Sequence, residues 1–315
     1  MIRTPTVPAM VLRKLAPTAA AAVTAALALA ACANGTTPAP AGATADGKPV
    51  LQQSLQGLKG GNYTFTRSQE GTVSGSVHLP DGSLMEQPYG PTVLRSGKAF
   101  YMRYRIHADG YEQYQKLFEK YKRKATPAEA AEIAKAEKIM AILDGKHWVR
   151  ADEKRLRAAA AEEDQSGMES LPPVPTAGQP DVTGAGALVS AVVRAESTGT
   201  AVTGTLDGTK VDPELNLFAN DPYYFYGPRA SAMPFEATLD AQGRLTKITV
   251  HVPGMLQAPA SAPPSAIPSD APTEAPGAPL VIAISGYGTT AAPTVPADAT
   301  DLDPAAYELL TNDVD

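Results

Sequence analysis

Few residues in this chain are placed to do chemistry, and they point away from catalysis. The four histidines, His78, His107, His147 and His251, are scattered, and none falls into an HxxxH or HExxH spacing, so no metal site is indicated. The stretch from Gly71 to Gly75 reads G-x-x-S-G rather than the G-x-S-x-G of a nucleophile elbow. No serine stands three residues before a lysine, and no glycine-rich phosphate loop is present. Glu162-Glu163-Asp164 reads as a solvated acidic loop, not as paired catalytic carboxylates. The expectation is a protein without enzymatic activity, metal or cofactor. Cys32 is the exception, because it is the only cysteine and therefore cannot form a disulfide within one molecule.

The setting of Cys32 gives its thiol a use. Arg3, Arg13 and Lys14 form a basic start, and residues 15–31 are apolar apart from two threonines and broken by Pro17. Seventeen such residues fall short of the roughly 20 that a spanning helix needs. The run ends in small residues and reads as a cleaved export signal over residues 1–31. Leu29-Ala30-Ala31-Cys32 resembles the lipobox of bacterial lipoproteins, in which the thiol takes a diacylglyceryl group and the signal is cut just before it. The resemblance implies a membrane partner through Cys32, with acyl chains such as palmitate, and a place at the outer face of the cytoplasmic membrane. Each buried methylene contributes about 0.8 kcal/mol, so two chains on one glycerol suffice for stable anchoring. The alternative is an incidental cysteine in an ordinary signal.

Loss of residues 1–31 would remove three positive and no negative charges and move the net charge from -6 to -9. Such an acidic domain has little electrostatic attraction for nucleic acid or anionic headgroups. The remaining 284 residues suffice for one sizeable core. Residues 32–48 hold, up to Pro49, nothing apolar larger than alanine after the cysteine and read as a flexible tether to a single domain over 49–315.

Within that domain the hydrophobic period changes repeatedly. Val50, Leu51, Leu55 and Leu58 are spaced for a short helix that Gly60-Gly61 stops. Residues 62–68 and 72–79 alternate as strands, with Tyr63 and Phe65 sharing a side, and Pro80-Asp81-Gly82 marks a turn. Strands follow at 92–94 and 98–106, where Phe100, Met102, Tyr104 and Ile106 share a face and Arg103 and Arg105 oppose it. One apolar and one polar face is the mark of an antiparallel sheet covered on one side. Tyr111, Tyr114, Leu117, Phe118 and Tyr121 form a helical stripe, and Thr126-Pro127-Ala128-Glu129 is a capping box before the stripe Ile133, Ala136, Met140 and Leu143. A strand is expected at 147–150, a loop at 158–180, a short helix around Leu188, Val189, Val192 and Val193, and a hairpin of 200–206 with 209–211. The hairpin 235–240 and 245–252 sets Phe235, Ala237 and Leu239 against Ile248, Val250 and Val252. Residues 253–279 carry eight prolines and read as a disordered excursion between two adjacent strands. Residues 280–287 resume as a strand, and Tyr307, Leu309 and Leu310 are expected to dock as a terminal turn.

Three stretches carry a closer likeness: Asp144-Gly145-Lys146-His147-Trp148-Val149, the hairpin from Pro234 to Leu245, and Ile284-Ser285-Gly286-Tyr287-Gly288 followed by Pro293 and Pro296. Together they resemble actinobacterial lipoproteins of the LppX/LprG type, themselves similar to the LolA/LolB lipoprotein carriers, over residues 48–303. The resemblance implies an α+β fold: a curved antiparallel β half-barrel with helices packed on its concave face and a hydrophobic cavity between them. It further implies a lipid or glycolipid ligand. The proline-rich excursion and the aromatic run Pro222-Tyr223-Tyr224-Phe225-Tyr226-Gly227 depart from the family pattern. That run reads either as a lid or membrane-touching loop or as aromatics packed over a sheet edge.

The residues available to line such a cavity are Tyr63, Phe65, Phe100, Met102, Tyr104, Leu117, Phe118, Phe235, Ile248 and Val250. Each serves equally well as plain core. Two functions therefore stand side by side, a carrier of lipophilic molecules and a structural or regulatory envelope lipoprotein with a solid core and an unknown protein partner.

Overall fold

The computed structural model describes residues 45–69, 71–88, 90–104, 116, 119–162, 171–215, 217–218, 221–257 and 271–309. They build an α+β unit on one large sheet. Its strands are β1 (Ala45–Asp46), β2 (Asn62–Ser68), β3 (Thr72–His78), β4 (Gly82–Glu86), β5 (Thr92–Ser96), β6 (Ala99–Arg103), β7 (Val149–Ala151), β8 (Val192–Thr198), β9 (Ala201–Leu206), β10 (Met233–Leu239), β11 (Leu245–Val250), β12 (Leu280–Ser285) and β13 (Thr300–Asp301). The helices are α1 (Gly47–Ser54), α2 (Gln56–Lys59), α3 (Pro127–Ile142), α4 (Glu153–Glu162), α5 (Ala185–Ser190), α6 (Pro222–Tyr226) and α7 (Ala306–Leu309).

The spatial order is β1-β8-β9-β10-β11-β12-β2-β3-β4-β5-β6-β7-β13. Two meanders, β8 to β12 and β2 to β7, are joined where β12 lies antiparallel to β2. β2 to β6, β8 with β9 and β10 with β11 pair antiparallel through short turns, whereas β6 with β7, β9 with β10 and β11 with β12 pair antiparallel across long connections. Among the described strands only β13 on β7 is parallel. The sheet stays open, and its edges are two-residue strands with exposed side chains, which limits edge-to-edge association.

Register sorts the side chains into two faces. One row runs Ala237, Ile248, Ile282, Arg67, Val73 across β10, β11, β12, β2 and β3. The next runs Ile284, Phe65, Gly75, Met85, Val93, Met102, Val149 from β12 to β7. Apart from Arg67, Val73 and Gly75 these residues are buried, and they form the floor of the core. Gly75 leaves room for a ring: a Cβ there would stand 2.3 Å from Cε1 of Phe65. The opposite face carries Thr64, Thr66, Ser74, Ser76, Ala283 and Ser285, small and mostly hydroxylated, around a shallow groove of about 370 Å³.

Helices and irregular segments cover the apolar face. α1 lies on β8 and β9 with Leu51 fully buried, and Asp46 caps it by accepting from the Lys48 N–H at 3.0 Å. The capping box of α3 is formed: Thr126 Oγ1 accepts from the Glu129 N–H, and Glu129 Oε2 accepts from the Thr126 N–H at 2.6 Å. α7 packs against α3 and α4, burying Tyr307 as the terminal turn expected there.

Several expectations need correction. The stretch read as a loop from 158 is helical to Glu162, because Asp152 caps Arg155 and the run Glu153-Lys154-Arg155-Leu156-Arg157-Ala158 favours a helix. The helix around Leu188 ends at Ser190, and Val192 and Val193 open β8 instead. β9 accordingly forms its hairpin with β8 through Gly199, and 208–210 is a 3-10 turn rather than a strand. β4 and β13 were not expected at all. Pro222–Tyr226 is a helical turn capped by Asp221, not a loop. The strand expected over 98–106 is β6, ending at Arg103, and residues 105 and 106 lie outside the described residues. The fold begins at Ala45, within the expected tether, because β1 pairs with β8.

The proline-rich excursion does connect adjacent strands, and its described ends are ordered against each other. Leu256 bridges Thr273, the Gln257 N–H donates to Pro272 O, and the Leu256 N–H donates to Phe225 O of α6. Residues 258–270 lie outside the described residues.

Candidate functional site

The candidate site is the covered face around β2, where chain order brings the two meanders together. Of the residues expected to line a cavity, Tyr63, Phe65, Phe100, Met102, Phe235, Ile248 and Val250 belong to one continuous core cluster, and Tyr104 packs against it. Tyr63, Met102, Ile248 and Val250 are 0 % exposed. Leu117, Phe118 and Cys32 lie outside the described residues, as do most positions of the tyrosine stripe. Tyr121, the described end of that stripe, is 56 % exposed.

β2 places two polar side chains on this apolar face, one at each end. Tyr63 is closed off: its hydroxyl donates to Pro180 O at 2.6 Å and accepts from the Val182 N–H at 3.3 Å. Burial pushes the phenol well above its ordinary value of 10.0. Tyr287, whose ring lies 6.4 Å from that of Tyr63, donates to Leu245 O at 2.5 Å and carries the Arg244 guanidinium 4.8 Å above its ring. Its phenol too is raised by burial.

Arg67, four residues on, stands between Ile282 and Val73 and is half-buried. Burial draws its guanidinium below the ordinary value. It has no hydrogen-bond or ion-pair partner among the described residues. Among the described residues the other half-buried arginines each have at least one: Arg95 donates to Gly97 O at 3.2 Å, Arg103 faces Glu86 at 3.7 Å, Arg157 pairs with Glu153 at 2.9 Å, Arg244 pairs with Asp240 at 2.7 Å, and Arg229 donates through Nη2 to Ala271 O at 3.3 Å while its buried Nη1 has no partner. The sequence reading passed over Arg67. Its signal was parity, since a residue two beyond Phe65 in an alternating strand shares the face of Tyr63 and Phe65.

Elsewhere the titratable groups stay apart. His78 contacts Asp81 at 3.1 Å, His147 contacts Asp144 at 3.0 Å and His251 lies 3.7 Å from Glu236, while His107 is outside the described residues. Among the described residues no three of His, Cys, Asp or Glu stand together as metal ligands. In the aromatic run Tyr226 is buried, Phe225 packs against the core and Tyr224 is 43 % exposed.

These features define an α+β protein built on a large, open, mostly antiparallel sheet with few helices. No family model matches the sequence, and no curated protein matches it. Among solved structures a LolA superfamily protein from Nitrosomonas europaea is a weak neighbour, at 9 % identity and a TM-score of 0.16, over 75 % of this chain and 91 % of its own.

Proposed function

We propose that this chain is an exported, lipid-anchored protein of the LppX/LprG type, its sheet bent into a half-barrel of the LolA/LolB kind. It binds a lipid or glycolipid between sheet and helices and carries or presents it at the outer face of the cytoplasmic membrane, without catalysis or cofactor. The observation that carries this reading is the one-sided sheet: its apolar face is roofed by short helices and irregular segments, which part more readily than a second sheet would. A ligand sliding under that roof exchanges apolar contacts for apolar contacts and gains roughly 25 cal/mol per Å² of its own buried surface before entropic costs. Native mass spectrometry of the protein purified from membranes tests it: a co-purifying lipid that organic extraction removes is expected, and no lipid from any preparation overturns it. Cys32→Ser is expected to shift the protein from the membrane fraction to the medium.

One observation favours a second reading. Tyr63, Met102, Ile248 and Val250 have no exposed surface, as in a solid core. A structural or regulatory lipoprotein would show that core unchanged by any lipid and would recognise a protein through its surface. Protection of Met102 from oxidation that is the same with and without added lipid would favour it.

A further inference from the structure

We propose that the groove formed by β6, β7 and β13 with the start of α4 and with α7 binds a small organic anion, a carboxylate or a phosphate on an apolar body; this does not depend on the carrier reading above. The groove measures about 770 Å³, a size within the roughly 300–1,000 Å³ of small-molecule sites. Ala99, Ala151 and Leu302 give it an apolar lining, and four bases and three acids share the rest. Each acid is already engaged. Asp301 holds Arg150 in a bidentate pair at 2.6 and 3.0 Å, Glu153 pairs with Arg157 at 2.9 Å, and Asp152 accepts from the Arg155 N–H at 3.1 Å. The bases left over are Lys98 and Lys154, exposed and without a hydrogen-bond or ion-pair partner among the described residues. Four bases against three acids leave the groove with one positive charge in a chain whose net charge is -6.

Tyr307 adds a donor to the same groove. It is only 7 % exposed, and its hydroxyl accepts from the Asp152 N–H at 2.7 Å. That bond fixes the oxygen and leaves the phenolic proton with no acceptor among the described residues. An anionic oxygen entering the groove supplies one, and a hydrogen bond to a charged acceptor is stronger than one to a neutral group. The two ammonium groups act as point charges and suit either a carboxylate or a phosphate. Arg150 and Arg157 are held by their own acids and do not compete. An inorganic anion would leave the apolar lining in contact with water, whereas an organic acid covers it with its own apolar part.

The test is calorimetric titration of the purified full-length protein at low salt with phenyl phosphate, phenylacetate and the neutral 2-phenylethanol. At least one anion is expected to bind about ten-fold or more tightly than 2-phenylethanol, the combined scale of two charged contacts at an exposed site. Preference for phenyl phosphate alone assigns a phosphate, and for phenylacetate alone a carboxylate. Lys98→Met and Lys154→Met together should erase the preference, and Lys98→Arg with Lys154→Arg should keep most of it. Lys59→Met with Lys247→Met removes the same charge outside the groove and should leave the preference unchanged. Tyr307→Phe should weaken the preferred anion more than 2-phenylethanol. Should that variant fail to fold, the exposed lysine pair still decides. No preference in the unmodified protein, a preference that survives the Lys98 and Lys154 substitutions, or an equal loss in the Lys59 and Lys247 pair overturns the proposal. None of these outcomes bears on the co-purifying lipid, so the carrier reading stands or falls separately.

Discussion

The two ends of β2 treat a polar group on an apolar face in opposite ways. At Tyr63 the hydroxyl is fully buried and both its hydrogen-bonding capacities are used, by Pro180 O and the Val182 N–H. At Arg67 the guanidinium is half-buried and has no partner among the described residues. The first end ties the segment 180–182 to the sheet and behaves as structure. The second lays its stem along the apolar row while its nitrogens stay in reach of water, so it needs no protein partner.

Substitutions along this strand separate the two ends, and the largest effect belongs to the closed one. Tyr63→Ala removes a fully buried ring and both hydrogen bonds, and should cost about 3–5 kcal/mol in denaturant titration. A loss below about 1 kcal/mol would mean that the roof over Tyr63 is not fixed. Gly75→Ala sets a methyl against Phe65 in the middle of the strand pair and should cost about 1–3 kcal/mol, with Phe65→Leu in the same chain recovering part of it. Tyr63→Phe keeps the ring and leaves Pro180 O and the Val182 N–H unpaired, at about 1–2 kcal/mol.

That last variant also carries a pH signature. Burial raises the Tyr63 and Tyr287 phenols, so the folded protein holds protons that the unfolded chain releases above its ordinary value of 10.0. Their contribution to stability is therefore intact below about pH 10 and is lost as pH rises from there through the folded-state values. Tyr63→Phe should make alkaline unfolding less steep, and an unchanged slope would show that the phenol is not desolvated. At the open end Arg67→Met should leave the melting temperature unchanged or raise it slightly, since it removes a charge with no partner; a large fall would make Arg67 structural after all. Smallest of all is Asp301→Asn, which breaks the exposed bidentate pair with Arg150 and should leave the melting temperature within error at 0.5 M salt.

Much of the fold was legible where one local rule acts alone. The strands expected from alternation at 62–68, 72–79, 235–240 and 245–252 formed as 62–68, 72–78, 233–239 and 245–250, and the capping box at Thr126 formed as its pattern requires. The errors fell where local signals compete. In Val192-Val193-Arg194 the apolar pair extends a helical stripe as well as a strand, and the pairing of β8 with β9 and β1 settles it as a strand. β4, Gly-Ser-Leu-Met-Glu, has no β-branched residue and depends on β3 and β5 to hold it. β13 is two residues long and exists only because β7 offers an edge.

By itself the sequence determined the alternation that makes one face of the sheet apolar and the capping box at Thr126, because each of these depends on residues close in the chain. Only the tertiary structure decided that β12 lies beside β2, that Tyr63 finds its partners at Pro180 and Val182, and that Arg67 finds none. Those outcomes depend on which distant segments arrive, and satisfaction of a buried polar group is a property of its neighbours in space rather than of its neighbours in sequence.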